Sequence, residues 1–405
     1  MKALKNYFDK IRPLFEEGGK YHWLHSVFDG FETFLFVPNT TSKSGVHIHD
    51  SRDSKRTMII VVVALIPALL FGMYNVGLQH YMAIGQEVGF WTRFFYGFLA
   101  VLPQIVVSYV VGLGIEFTAA QMKGEEIAEG FLVTGLLIPM ILPVDTPLWM
   151  IAVATAFAVI FAKEVFGGTG YNIFNVALIA RAFLFFAYPS MMSGDRVFVR
   201  TGSALGMGRP EMVNGIAQTV DGFSGATPLG QLAITDAPHF ASFGFTGVTG
   251  QPLTLSDMFW GFIPGSVGEV STFAILLGAI LLISTGVGSW KTMLSVFLGG
   301  LFTISIVNLF AANPIMEMPA HYHFLLGGFA FGAVFMATDP VTSARTEKGK
   351  WIHGFLIGLL AITIRIFNPG YPEGMMLAIL LMNAFAPLID FYVVDANIKR
   401  RLKRV

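Results

Sequence analysis

The sequence contains no cysteine among its 405 residues. That excludes a disulfide, a thiolate zinc site, a cysteine-ligated iron–sulfur cluster and c-type haem attachment within the chain. Any redox chemistry must then use an organic cofactor or a non-thiolate metal. Charge is scarce too: 13% of residues are Asp, Glu, Lys or Arg, against about 25% in soluble domains. The formal net charge is zero, which offers no bulk attraction for nucleic acid. The opening stretch MKALKNYFDKIRPLFEEGGK is interrupted by charge and has no apolar core, which argues against a cleaved signal peptide. No dinucleotide fingerprint, Walker motif or triad pattern stands out, so the chain is not expected to oxidise NADH itself.

What is abundant is apolar. Hydrophobic residues make up 54% of the chain, the mean hydropathy is +0.65, and there are 39 Phe and 44 Gly. A span needs about 20 mostly apolar residues, and candidates fall at 57–78, 92–114, 130–146, 148–164, 173–190, 268–286, 292–312, 322–338, 351–368 and 374–394. The pattern predicts an all-α, polytopic membrane protein of about ten transmembrane helices. The third candidate, broken by Pro139 and Pro143, reads as a half-span or re-entrant segment.

Basic residues set the expected orientation. Nine Lys/Arg precede residue 57 and five lie in the tail KRRLKRV; Lys123, Lys163, Lys291, Arg345, Lys348 and Lys350 occupy alternate loops. The positive-inside rule then puts both termini in the cytoplasm and the long segment 191–260 outside, its Arg196, Arg200 and Arg209 notwithstanding. The expected organisation is a cytoplasmic extension (1–56), a first membrane half (57–190), an outer loop (191–260), a second membrane half (261–394) and a basic tail (395–405). Within the extension, Trp23, Leu24, Val27, Phe28, Phe31, Phe34 and Leu35 recur at helical spacing, as on a helix lying at a membrane surface or against a soluble partner. An internal echo pairs Glu129-Gly130 with Glu373-Gly374, with a third copy at Glu269. Such repeats with broken helices are a membrane-transport architecture.

Four constellations could carry chemistry. DGFSGAT, Asp221 to Thr227, crowds small residues (Gly222, Ser224, Gly225, Ala226) around a hydroxyl. Glycine permits close backbone approach, so the segment could present the Thr oxygen to another enzyme, or form an ordinary Gly/Ser turn. In FGGTGYNIFN, Asn172 and Asn175 lie three apart at the start of a span, placed to hydrogen-bond a polar ring edge or to cap a helix. In VVGLGIEF, Gly112 and Gly114 give space and Glu116 a carboxylate, as a quinone slot needs, or as helix packing needs. Arg181, Asp339, Arg365 and Asp390 are ionisable groups in or beside spans, and these default to functional suspects or internal Arg–Asp pairs. Asp339 and Asp390, with Glu116 third, are the candidates for a Na+ path. His321 and His323 sit two apart and point to different faces, which disfavours a bis-His haem.

The SGAT sequence in the outer loop resembles the covalent-flavin site of a known family, the NqrB/RnfD family. Its members are the NqrB subunits of the Na+-translocating NADH:quinone oxidoreductases and the RnfD subunits of the Rnf complexes. The likeness extends to AKEVFGGTGYNIFNVALIARAFLFFAYP (162–189), IPGSVGEVST (263–272), GGFAFGAVFMATDP (327–340) and NPGYPEGMMLAILLMNAFAPLID (368–390), nearly the whole chain. The resemblance implies a urea-transporter-like bundle in a bacterial inner membrane, within a six-subunit complex. It also implies FMN joined through its phosphate to Thr227 by a flavin transferase, and a non-covalent riboflavin with Asn172 and Asn175 in its site. Quinone would be reduced near the cytoplasmic face, with transport of Na+ coupled to it. The 56-residue extension favours the sodium-pump type over its Rnf relative. An Rnf-type electron carrier, and a channel or transporter without redox chemistry, stay as alternatives.

Overall fold

The computed structural model describes residues 2–16, 18–25, 28, 32, 54–123, 130–195, 197–205, 212–213, 216–217, 219–220, 223–368, 370 and 372–404. The helices, in order, are α1 (Lys2–Ile11), α2 (Ser54–Ala83), α3 (Phe90–Lys123), α4 (Phe131–Ile141), α5 (Leu148–Ala162) and α6 (Val176–Ala187). They continue with α7 (Pro228–Ala233), α8 (Leu255–Trp260), α9 (Thr272–Ser284), α10 (Trp290–Leu309), α11 (Pro314–Glu317) and α12 (Ala320–Leu325). The last are α13 (Phe329–Phe331), which runs into a π-helical turn at Gly332–Met336, then α14 (Glu347–Phe367) and α15 (Met375–Leu402). The described β-structure is one antiparallel pair, Met212–Val213 with Ile216–Ala217, and an isolated bridge between Thr246 and Pro252. The chain is an all-α polytopic membrane protein. The surface-helix expectation falls partly outside the described residues, because Val27, Phe31, Phe34 and Leu35 are not among them.

Six helices (α2, α3, α5 continued through a 3-10 turn to Phe166, α10, α14, α15) are long and apolar enough to cross a membrane. The other four apolar segments form short helices. At 1.5 Å per residue, α4, α6 and α9 reach only about 16–20 Å, and α13 with its π turn about 12 Å, against a hydrocarbon core of ~30 Å. Of these, α4 and α13 with its π turn lie at the centre of the molecule. Residues 135–142 and 329–338 are buried throughout. The long helices turn apolar stripes outward, such as Ile59, Val63, Ile66 and Leu70 on α2. Spacing of three and four puts such residues on one face, here the face left for lipid.

A helix that stops inside the core strands its last carbonyls, and each needs a donor. At the end of α4, Leu142 turns extended and Pro143 follows. The Met140 carbonyl accepts from Gly268 N (2.8 Å), Ile141 O from Ser266 Oγ (3.2 Å) and Val144 O from Gln104 Nε2 (2.7 Å). At the second break, Gly327 and Gly328 take left-handed φ values of 65° and 63°, which favour glycine. Arg365, 0% exposed, donates to the carbonyls of His323 (2.6 Å), Leu326 (3.0 Å) and Glu373 (3.3 Å). The long helices pack through small residues, which let backbones approach: a Cβ on Gly354 of α14 would lie 2.7 Å from Thr292 O of α10.

Candidate functional sites at two ends of a half-helix

Thr227 ends an extended segment and caps α7, its Oγ accepting from Gly230 N at 3.1 Å. It is half-buried, and its hydroxyl hydrogen has no acceptor among the described residues. The approach is fixed by backbone contacts: Ser224 N to Val248 O (3.3 Å) and Gly225 N to Asp195 O (2.9 Å). A Cβ on Gly225 would stand 2.6 Å from Asp195 O and 3.2 Å from Val199. The small residues of SGAT thus let the strand press on its own loop. Asp221 and Gly222 lie outside the described residues. Thr227 faces a cavity of about 260 Å³ whose lining includes Ser193, Asp195, Ala226, Gly370 and Glu373.

A second cavity, about 80 Å³, brings together Asn172, Asn175 and Asp339, with Thr57, Lys163 and Thr169. Asn175 caps α6 by accepting from Leu178 N (3.2 Å), and its Nδ2 donates to Asp339 Oδ2 (3.1 Å). Asp339 also accepts from Val341 N (3.0 Å) and Thr342 Oγ1 (3.1 Å). Asn172 closes a local turn, accepting from Gly170 N (3.3 Å) and donating to Phe174 O (3.1 Å). Thr169 Oγ1 is buried without a hydrogen-bond partner among the described residues, which is costly unless something else meets it. The two cavities lie at opposite ends of α6: Asn175 and Val176 line one, and Met192, just past its last turn, lines the other.

Between them is a buried charge cluster. Arg181, midway along α6, pairs with Glu269 (2.6 Å) and with Glu373. Side-chain exposure is 5%, 8% and 13% in that order. Glu269 precedes α9 and Glu373 precedes α15, and a Cβ on Gly328 would lie 2.6 Å from Glu269 Oε1. The entrances to α9, α13 and α15 therefore meet around one guanidinium and its two carboxylates. Among the described residues, in place of the expected Arg–Asp pairs, Arg181 pairs with glutamates that stood out in the sequence only as repeat markers, and Arg365 donates to backbone carbonyls.

The remaining candidates separate. Gly112 packs against the Phe131 ring, whereas Gly114 lies on an exposed face with open space around it. Glu116, 4% exposed, pairs with Lys163, also 4% exposed. Lys163, counted above as a loop charge, is therefore a buried partner. Asp390 receives Arg345 N (2.7 Å), Thr346 N (3.0 Å) and Thr346 Oγ1 (2.6 Å), so its carboxylate is engaged at the entrance to α14. Glu116, Asp339 and Asp390 thus have separate partners. Among the described residues, no cluster of three His, Asp or Glu suited to a metal ion is present.

Long apolar helices enclosing broken ones, with polar cavities at both ends of a half-helix, define an integral membrane protein built around discontinuous helices. The chain belongs to the NQR2, RnfD, RnfE family, whose model matches residues 41–399. It is 42% identical to the B-type subunit of the Na(+)-translocating NADH-quinone reductase of Chromohalobacter salexigens, over 99% of this chain and 97% of that one. The proteins of the same name from Haemophilus influenzae and Pseudomonas aeruginosa are each 42% identical, over 99% of both chains.

Proposed function

We propose that this chain is a membrane redox subunit of a Na+-translocating NADH:quinone reductase. In this reading FMN is joined through its phosphate to Thr227, and riboflavin sits by Asn172 and Asn175. The observation that carries it is the pairing of two polar cavities across α6, about 18 Å long, with a half-exposed Thr hydroxyl in one. The flavins would supply one-electron transfer across a distance shorter than the bilayer. The family membership and the relatives' names support the wider role. The Thr227 end is taken as outside and the end bearing Lys399, Arg400 and Arg401 as cytoplasmic.

The residues present fit the two groups to different degrees. An ester at Thr227 replaces a hydroxyl hydrogen that makes no contact, and the ester oxygen keeps lone pairs for Gly230 N. Among the described residues the cavity lining includes Asp195 and Glu373 and no Lys or Arg, so within that lining the charged phosphoryl oxygens are best placed toward water. At the other end, Thr169 Oγ1 and the amides of Asn172 and Asn175 offer hydrogen bonds to a ring edge. A tricyclic ring exceeds 80 Å³, so the lining side chains Met58 and Phe335 must move apart to admit it. Asp339 then serves that site by holding Asn175. Glu116, held by Lys163 beside Gly112, is the group through which quinone and ion chemistry are proposed to meet at the cytoplasmic end. The other members of the complex and a flavin transferase are the expected partners.

The test is in-gel flavin fluorescence of the denatured chain from cells that express the transferase. A fluorescent band is expected, absent in Thr227→Ala. A dark wild-type band, or a bright Thr227→Ala band, overturns the covalent site and favours a channel without redox chemistry.

A further inference from the structure

At the basic end, α15 runs on past the entrance to α14, and the two helices border an open groove of about 470 Å³. We propose that this groove seats an anionic phospholipid, with the phosphate between Lys348 and Arg400 and the upper acyl chain along the α15 wall. The inference is independent of the flavin assignments.

The lining has the polarity order of such a lipid. From α15 come Ile389, Tyr392, Val393 and Ala396, spaced three and four apart and so on one face, followed by Asn397 and Arg400 at the outer rim. From α14 come Lys348 and Ile352, one turn apart. The helices run antiparallel here, because Asp390 of α15 binds the backbone that enters α14. Helical side chains lean toward their own N-terminus. Lys348 therefore leans outward and Arg400 inward, which brings the two cationic heads toward the same depth. Tyr392 is 63% exposed and Ile352 45%, leaving an apolar floor under the cations.

Nearby acids do not neutralise that pair. Glu347 is held by Lys291 and Lys350, Asp390 by backbone amides and Thr346, and Asp395 by Lys399 at 2.7 Å. Among the described residues neither Lys348 nor Arg400 has a carboxylate partner; Arg400 donates to Asn397 Oδ1 at 3.1 Å. Basic pockets between helices at the cytoplasmic surface suit anionic headgroups. A free phosphate would leave the apolar floor uncovered. An apolar helix from another polypeptide would bury two cations without an anion, which is expensive.

The intact assembly, purified in detergent and stripped of lipid, is titrated with phosphatidylglycerol, phosphatidylcholine or inorganic phosphate, and bound lipid is read by native mass spectrometry. Each cation near an anionic headgroup is worth about fivefold, so Lys348→Gln/Arg400→Gln should weaken phosphatidylglycerol binding about thirtyfold. Phosphatidylcholine binding should not change, and Lys350→Gln, whose charge is engaged by Glu347, should behave as wild type. A photoreactive residue at Ile352 should capture lipid. Equal phosphatidylglycerol binding by wild type and double variant overturns the proposal. So does competition by inorganic phosphate as effective as by lipid, or capture of another polypeptide at Ile352. If the double variant fails to assemble, the Ile352 capture in otherwise wild-type protein decides alone.

Discussion

Replacing Arg181 by Met should destabilise the membrane domain more than any other single change at the cluster. The substitution keeps length and apolar bulk but removes the guanidinium shared by Glu269 and Glu373. Two carboxylates then remain buried and close together without a countercharge. Removing one partner of a buried ion pair costs about 3–5 kcal/mol, a large share of the roughly 5–15 kcal/mol that holds a domain folded. Neutralising all three groups, as Arg181→Met/Glu269→Gln/Glu373→Gln, removes the uncompensated charge and should recover most of the loss, since apolar replacements of buried pairs are often neutral. The missing cysteines supply the assay. A single Cys at Ala154, buried in α5, is the chain's one thiol and reacts with a maleimide only when the fold opens. Opening follows the free energy of unfolding, so the loss should raise the labelling rate by roughly two to nearly four orders of magnitude. A rise under tenfold, or a triple variant as labile as the single one, would refute the claim that charge compensation holds these helix entrances together.

Two further changes probe the Thr227 end. Gly225→Ala places a methyl 2.6 Å from Asp195 O; overpacking of this kind costs about 1–3 kcal/mol. Limited proteolysis should cut the 223–227 segment faster, and unchanged cleavage would show that the strand can shift. The Glu317 carboxyl is held below its usual range by the His239 hydrogen bond and then by Phe240 N. A depressed value means the contact is complete above the ordinary 4.5 and is lost as pH falls through the lowered folded value. Exchange of the Phe240 amide, which donates to Glu317 Oε2 at 2.7 Å, should therefore accelerate only below that range. His239→Ala should move the onset upward, and an onset that stays put would assign the shift to another group.

Hydropathy made the membrane class legible and located every apolar segment, yet it could not distinguish a span from a half-span. Residues 173–190, 268–286 and 322–338 are apolar over nearly full span length, but their longest continuous helical stretches hold only 12, 13 and 8 residues. The difference lies in backbone donors brought from afar, such as Gly268 to Met140 and Arg365 to Leu326, which leave no local pattern. Pro139 and Pro143 did mark one break. The Thr227 candidate could be read locally because its motif sits within seven consecutive residues. Arg181–Glu269–Glu373 was not, because its members are 88 and 192 residues apart in the chain. Lys163 misled for a related reason: its partner Glu116 is 47 residues away, so a buried ion pair looked like a loop charge.

The broken helices also explain why two cavities can approach from opposite ends. Thr169 and Asn172 precede α6 and line one cavity, while Gly370 and Pro372 precede α15 and line the other. Continuous helices at these positions would fill that space with backbone and push any bound groups toward the two surfaces, a full bilayer apart. Stopping the helices inside the core brings the cavities to within about the 18 Å length of α6. The consequence is a set of exposed helix ends and polar groups at membrane depth, which are tolerated only where protein satisfies them. Arg181 meets that requirement at the midpoint of α6, where it joins the entrance to α15 beside the Thr227 cavity to the entrance to α9. Glu373 belongs to both the cluster and the Thr227 cavity. A charge placed in the Thr227 cavity would therefore act on a carboxylate, Glu373, whose partner Arg181 sits on the helix capped by Asn175.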